Sequence, residues 1–186
     1  MNSYKILNQK EFSQDEFSLI PIRLEDRYQI MKWRNEQLYH LRQQKQLSVE
    51  DQDKYFKNVV EKLFVVEKPE QLLFSFLEND KFLGYGGLVH INWPDKNAEI
   101  SFVMDTKLEK FRFDELWTNY LNLIEKVAFE ELKFHKIHTY AFDLRPQIYS
   151  ILENSGYSKE AVLSEHCFIN NQFKDVIIHS KFNQKF

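Results

Sequence analysis

Residues 97–143 decide the fold: NAEISFVMD at 97–105, FDELWTNYLNLIEKVAFEELK at 113–133 and KIHTYAFD at 136–143. The first and third stretches are rich in β-branched and aromatic residues, which is typical of strands. The middle stretch carries apolar residues at helical spacing and acidic residues in its first turn. A strand that leads through a helix to another strand predicts a parallel pair within a mixed sheet.

Working outward, the same patterns predict the remaining elements. Strands are expected at 17–24, 71–78, 81–92, 158–169 and 173–182, and helices at 25–44, 48–64 and 145–156. Pro21 lacks a backbone donor, so the strand at 17–24 is expected at a sheet edge. The fold class is therefore α/β, with a mixed, mostly antiparallel central sheet flanked by helices in the order β-α-α-βββ-α-β-α-ββ.

The amino-acid composition argues against several classes of function. The chain has 186 residues and predicts a single domain, with an N-terminal extension at 1–16 and a core at about 17–182. A net charge of -3 disfavours nucleic-acid binding. The single cysteine, Cys167, argues against a disulfide framework or a cysteine metal site and fits the cytoplasm. Neither a signal segment nor a membrane-spanning apolar run is apparent, so no membrane association is expected.

Several segments together resemble the GCN5-related N-acetyltransferases, and they cover most of residues 17–182. The matching segments are LEDRYQIMKWRNE at 24–36, LSVEDQDKYF at 47–56, FLGYGGLVHIN at 82–92, AFEELKFHKIHTYAFD at 128–143 and ILENSGY at 151–157. The first two resemble the branch that includes ribosomal-protein and nucleotide-sugar acetyltransferases. The resemblance implies that acetyl-CoA lies where two strands splay apart, its pantetheine arm paired with the backbone of Phe102, Val103 and Met104.

The family holds the cofactor pyrophosphate on an R-x-x-G-x-G loop before the long helix. Here that loop corresponds to KFRFDELW at 110–117, where Phe113 and Glu115 replace the glycines beside Arg112. The resemblance therefore implies a degenerate phosphate loop. Arg145, at the start of the late helix, is a further residue that could attract a phosphate.

Acetyl transfer to an amine requires a base near the thioester and a route for one proton. Glu99 is the first candidate base, because it lies on the strand that lines the acceptor side in the family. His90, on the neighbouring strand, has a side chain suited to proton transfer near neutral pH. The family's proton-donating Tyr corresponds to Leu152, and Tyr149 lies one turn earlier. Ordinary structural roles for these side chains remain open.

The acceptor pocket is expected to include Trp33, Arg34, Asn35 and Arg42 by the same resemblance. Either arginine could pair with a phosphate or carboxylate of the acceptor, or form a surface ion pair with a neighbour such as Glu36.

The leading hypothesis is an N-acetyltransferase that moves an acetyl group from acetyl-CoA to a small-molecule amine, such as an amino sugar. It requires no metal and is compatible with a homodimer. Two alternatives stay open: a non-catalytic binding protein of the same fold, and an acyltransferase that uses another acyl donor.

Overall fold

A computed structural model describes residues 3–41 and 43–185. Within these residues eight strands form one sheet in the order β1-β2-β3-β4-β5-β6-β8-β7. The strands are β1 (Phe12–Gln14), β2 (Phe17–Pro21), β3 (Leu72–Glu78), β4 (Lys81–Asn92), β5 (Asn97–Met104), β6 (Lys136–Phe142), β7 (Ser158–Ile169) and β8 (Gln172–Phe182).

Five α-helices accompany the sheet in the described residues: α1 (Arg27–Glu36), α2 (Val49–Tyr55), α3 (Glu61–Leu63), α4 (Thr106–Glu125) and α5 (Gln147–Asn154). A π-helical turn joins α2 to α3, and another extends α4 to Glu131. Short 3-10 turns precede and follow α1. No helix of the described ranges is long and apolar enough to cross a membrane.

The sheet confirms the predicted α/β class. Strands β5 and β6 run parallel, and the other neighbouring pairs run antiparallel. The parallel pair is the one that α4 connects, as the crossover pattern in the sequence predicts.

The strands β5 and β6 stay together for only three residues each. Asn97–Glu99 pairs with Lys136–His138, and beyond this point the two strands have no further register within the described chain. A cleft therefore opens between the carboxyl-terminal halves of β5 and β6, where a ligand can reach strand backbone.

The glycines of β4 allow its neighbours to pack closely against the strand. A Cβ atom on Gly86 would lie 2.1 Å from the Ser101 carbonyl oxygen and 2.6 Å from the Tyr120 hydroxyl. Tyr120 donates from that hydroxyl to the same carbonyl at 2.7 Å, which ties α4 to β5 beside the cleft.

One helix boundary was predicted in part, and two predictions about the N-terminal strands were wrong. Helical turns already begin at Thr106, because Asp105 caps them by accepting from the Lys107 amide. The backbone is not helical at Arg112, so the segment that follows this break begins at 113 as predicted. Residues 12–14, assigned to the extension, form β1. Since β1 pairs with β2 as far as Leu19, the strand containing Pro21 is not a sheet edge over its first half.

Candidate active site

A cavity of about 790 Å³ lies between the splayed strands and the helices α1 and α2. Its walls come from β4, β5, β6, α1, α2 and the start of α5. Both Glu99 and His90 line this cavity, together with Arg34 and Arg145. The structure thus brings the predicted base, one acceptor residue and one predicted phosphate residue into a single space.

Glu99 lies at the apex of the cleft. It is the last residue of β5 that pairs with β6, opposite His138, and its side chain is only 13 % exposed. The Nε2 atom of His90 lies 3.8 Å from a Glu99 carboxylate oxygen, although the His90 side chain is 66 % exposed. His90 adopts a φ of 50°, at an irregularity in the β4–β5 register that places it beside Glu99. The two residues therefore form a polar pair where the strands separate.

Thr139 is the first residue of β6 beyond the last paired position. It is 4 % exposed, lines the cavity, and its hydroxyl has no hydrogen-bond partner. A buried hydroxyl without a partner is costly, so this site favours a ligand that can hydrogen-bond to it. Sequence reasoning missed Thr139, because only the three-dimensional splay shows that its hydroxyl lacks a neighbour.

The backbone predicted to bind the cofactor belongs to β5, which forms one wall of the cleft. Phe102 and Val103 line the cavity, and Phe102 stacks on Tyr120 with ring centroids 3.9 Å apart. The Met104 carbonyl, by contrast, accepts from the Gln37 side chain at 2.8 Å. Phe102 and Val103 are thus placed along the cleft wall, while Met104 is engaged by the turn after α1.

The segment predicted as a phosphate loop is helical on both sides of a break at Arg112. Residues 110–117 lie within α4, which is kinked at Arg112 with φ -130° and ψ 19°. Phe113 is buried in the core beside Trp117. Arg112 donates to both Glu78 and Glu115, with its shortest contact to each at 2.6 Å. These contacts raise the pKa of Arg112 and lower the pKa of both carboxyls, so Arg112 stays charged and is paired with two carboxylates in this structure.

Arg145 reaches the cavity but also has a carboxylate partner. Its Nη1 atom lies 3.1 Å from Glu109, and both side chains are largely buried, at 16 % and 14 % exposure. The guanidinium also lies over the Phe113 ring, 5.7 Å from its centroid. Both arginines predicted to bind phosphate are therefore paired with carboxylates.

His40, which also lines the cavity near Arg145, gives a pH prediction. Burial, together with the positive charge of Arg145, lowers the pKa of its imidazole to about 3, against about 6.5 in an unfolded chain. Between these values the unfolded state binds a proton that the native state does not. The free energy of unfolding should therefore fall as the pH drops through this window.

Replacing His40 with Asn should reduce this loss of unfolding free energy, as measured by urea unfolding at neutral pH and at about pH 5. Equal losses in both proteins would contradict this assignment.

The predicted acceptor residues have different environments. Arg34 lines the cavity. Trp33 is 2 % exposed and packs against Phe82, with ring centroids 4.8 Å apart, so it belongs to the core. Asn35 exchanges hydrogen bonds with the backbone of Leu47 at 2.8 and 2.9 Å and thereby fastens the α1–α2 connection. Arg42 lies outside the described residues.

Tyr149 faces away from the cleft. Its hydroxyl donates to Asp143 at 2.8 Å, its ring stacks on His179, and it is not among the residues that line the cavity. Burial and the Asp143 carboxylate raise the pKa of this hydroxyl. Tyr149 as the proton donor stays a prediction that requires α5 to move. Tyr140 of β6, by contrast, does line the cavity.

Two cavity tyrosines went unnoticed in the sequence. The Tyr85 hydroxyl accepts from Arg34 at 2.8 Å, and the Tyr55 hydroxyl accepts from Gln71 at 3.2 Å. The alternation of β4 could have indicated Tyr85, since it shares a strand face with Val89, which lies opposite Glu99. No group of three or more side chains suited to metal binding occurs in the part of the chain that the structure describes.

Comparison with known proteins identifies the family. The profile of the acetyltransferase (GNAT) domain matches residues 19–178. A spermidine N(1)-acetyltransferase of Vibrio cholerae is 25 % identical over 134 residues, which span 70 % of each chain. This relative does not support the ribosomal-protein and nucleotide-sugar branch expected from the first segments.

Solved structures show the same fold. A spermidine N-acetyltransferase from Vibrio cholerae in complex with CoA and spermine superposes with a TM-score of 0.78 at 19 % identity, covering 92 % of this chain and 98 % of that one. A dodecameric structure of the spermidine N-acetyltransferase from that organism gives 0.75 at 19 % identity, covering 92 % and 96 %. The chain belongs to the GNAT family and is an acyltransferase of the N-acetyltransferase type.

Proposed function

We propose that this protein transfers an acetyl group from acetyl-CoA to the amine of a small molecule, and that it does so in the cleft between β5 and β6. The observation that carries the proposal is the apex of that cleft. There Glu99 and the buried, unpartnered hydroxyl of Thr139 flank the point where the strands separate. One group can accept a proton, and the other can hydrogen-bond to a bound acyl donor.

Each of the residues that line the cleft has a proposed role in acetyl transfer. Acetyl-CoA would supply the acetyl group as a thioester, with its pantetheine arm along Phe102 and Val103. Glu99, directly or through His90, takes the proton that the amine loses as its nitrogen bonds to the acetyl carbon. The Thr139 hydroxyl orients the donor from the β6 side. Tyr149 or Tyr140 would return a proton to the departing sulfur.

The phosphate end of the donor would meet Arg112 and Arg145. To bind a phosphate, each arginine must either release its carboxylate partner or donate to the carboxylate and the phosphate together. Such an exchange weakens binding without abolishing it, because Arg112 and Glu115 are partly exposed and solvent screens their charges.

Replacing Glu115 with Gln is expected to tighten CoA binding by about two- to fivefold, since it removes a negative charge and frees one side of Arg112. Titration calorimetry at low salt measures this change. Glu50→Gln, which removes an exposed carboxylate paired with Lys54 on α2, is the control and should leave the dissociation constant unchanged. An unchanged or weaker affinity in Glu115→Gln would contradict a phosphate site at this helix.

The acceptor could belong to either of two classes, an amino sugar or a polyamine. The amino-sugar expectation came from a branch that the comparisons do not support, and the curated relative acts on a polyamine. The cavity lining includes Glu99 and Glu70, which would attract a cationic polyamine. It also includes Arg34 and Arg145, which would repel one. The acceptor is therefore proposed here only as a small-molecule amine. A homodimer stays a prediction, and so does a donor other than acetyl-CoA.

A direct assay tests the proposal: acetyl-CoA and a panel of amines are incubated with the protein, and both free thiol and acetylated amine are measured. Amine-dependent thiol release with a matching amount of acetylated product is expected. Release from acyl-carrier donors but not from acetyl-CoA would redirect the proposal to another acyl donor, and no transfer from any donor would contradict it.

A further inference from the structure

Arg34 differs from the other described arginines in its partners. Arg23, Arg27, Arg112 and Arg145 each lie within 4.0 Å of a carboxylate. Arg34 instead donates from Nε to Gln43 at 2.8 Å and from Nη1 to the Tyr85 hydroxyl at 2.8 Å. Among the described residues no carboxylate forms an ion pair with it.

The position of Arg34 explains why the lack of a carboxylate partner among the described residues indicates a ligand site. The side chain is half-buried and lines the cavity, so its charge is not simply in bulk water. A partly desolvated guanidinium with only neutral partners is stabilised by an anion that reaches it. Its planar donors match the oxygens of a carboxylate or a phosphate.

Two hydroxyl groups share this part of the cavity. Tyr85 accepts from Arg34, so the proton of its own hydroxyl is available for a ligand oxygen. Tyr55 also lines the cavity and accepts from Gln71, which leaves its proton available in the same way. Burial raises the pKa of Tyr55, so this hydroxyl remains a donor at neutral pH.

We infer that the acceptor carries an anionic group, a carboxylate or a phosphate, which Arg34 binds together with the hydroxyls of Tyr55 and Tyr85. The amine of the same molecule then faces Glu99, which lines the same cavity. This inference rests on the proposed acetyl transfer and names the chemical class of its acceptor. It separates this protein from the polyamine-acetylating relative, since a polyamine offers no anion to Arg34.

Four amines with short chains test the inference: 4-aminobutyrate, 3-aminopropyl phosphate, butylamine and spermidine. Wild-type protein is expected to acetylate one of the two anionic amines with a kcat/KM about 10- to 100-fold above that of butylamine, the range of a charge-assisted hydrogen bond. The better of the two identifies the anion as carboxylate or phosphate. Arg34→Gln should remove this preference mainly through KM, so that the anionic amine falls to about the level of butylamine.

Arg27→Gln is the matched control, because Arg27 lies on the same helix but pairs with Asp53 at the surface. It should preserve the preference for the anionic amine. Spermidine or butylamine as the best wild-type substrate would overturn the inference, and so would an equal loss for all four amines in Arg34→Gln.

A binding measurement keeps the inference independent of turnover. Inorganic phosphate and acetate are titrated separately, and the melting temperature of wild-type and Arg34→Gln protein is followed. At least one anion is expected to stabilise the wild type more than Arg34→Gln even if no amine is acetylated, in which case the acetyl-transfer proposal alone fails. Equal responses of the two proteins to both anions would overturn the anion site.

Discussion

Replacing Glu99 with Gln is expected to lower kcat/KM for acetyl transfer by about two to four orders of magnitude, the usual contribution of a positioned general base. Glutamine retains the shape of the side chain at the cleft apex but cannot accept the proton from the amine. The deficit should shrink as the pH rises, because a larger fraction of the amine is then already neutral. Steady-state rates across neutral and alkaline pH measure both effects.

Glu160→Gln is the control for this experiment. Glu160 is also a strand carboxylate, but it pairs with Lys136 at 2.6 Å outside the cavity. Its replacement should change kcat/KM by less than about threefold, as expected for a surface ion pair. A Glu99→Gln enzyme with near wild-type rates, or a loss that is constant with pH, would assign the base to another group.

Replacing Trp33 with Ala is expected to reduce the free energy of unfolding by about 3–5 kcal/mol, because it leaves a large cavity beside Phe82. This loss is a major part of the total stability of a typical domain, about 5–15 kcal/mol. Urea unfolding measures it. Trp33→Phe should lose less stability and keep the wild-type KM for the acceptor, because the side chain packs in the core rather than in the cavity.

Tyr39→Ala serves as the reference, since Tyr39 is 49 % exposed and its removal should change stability by no more than about 0.5 kcal/mol. If Trp33→Phe raised the KM for the acceptor without changing stability, the earlier assignment of Trp33 to the acceptor pocket would be correct instead.

Most of the fold could be predicted from the sequence, because the residue types and apolar spacing within a segment indicate its secondary structure. Strand-forming residues bounded by turn residues identified the central strands at 71–78, 81–92 and 97–105, and the helical spacing in 113–133 identified the crossover. The strand β1 was missed, since three residues are too few for a periodic signal. The helical turns at 106–111 were missed because the family resemblance suggested a loop there, whereas the predicted start at 113 coincides with the break at Arg112.

The site was predicted less completely, because partner choice depends on packing between elements distant in sequence. Glu36 was considered as a partner of Arg34, but residues two apart on a helix do not face each other. In the structure Glu36 instead accepts from Thr106 at 2.7 Å. The unpartnered hydroxyl of Thr139 likewise depends on where β5 and β6 separate, and no local pattern in the sequence reports that point.

A crystal structure of the protein grown with acetyl-CoA tests the central claim most directly. The proposed function predicts the thioester end of the donor in the cleft between β5 and β6, near Glu99 and Thr139, with the phosphates close to Arg112 or Arg145. A cleft without bound donor at saturating acetyl-CoA, or a donor bound elsewhere on the protein, would contradict it.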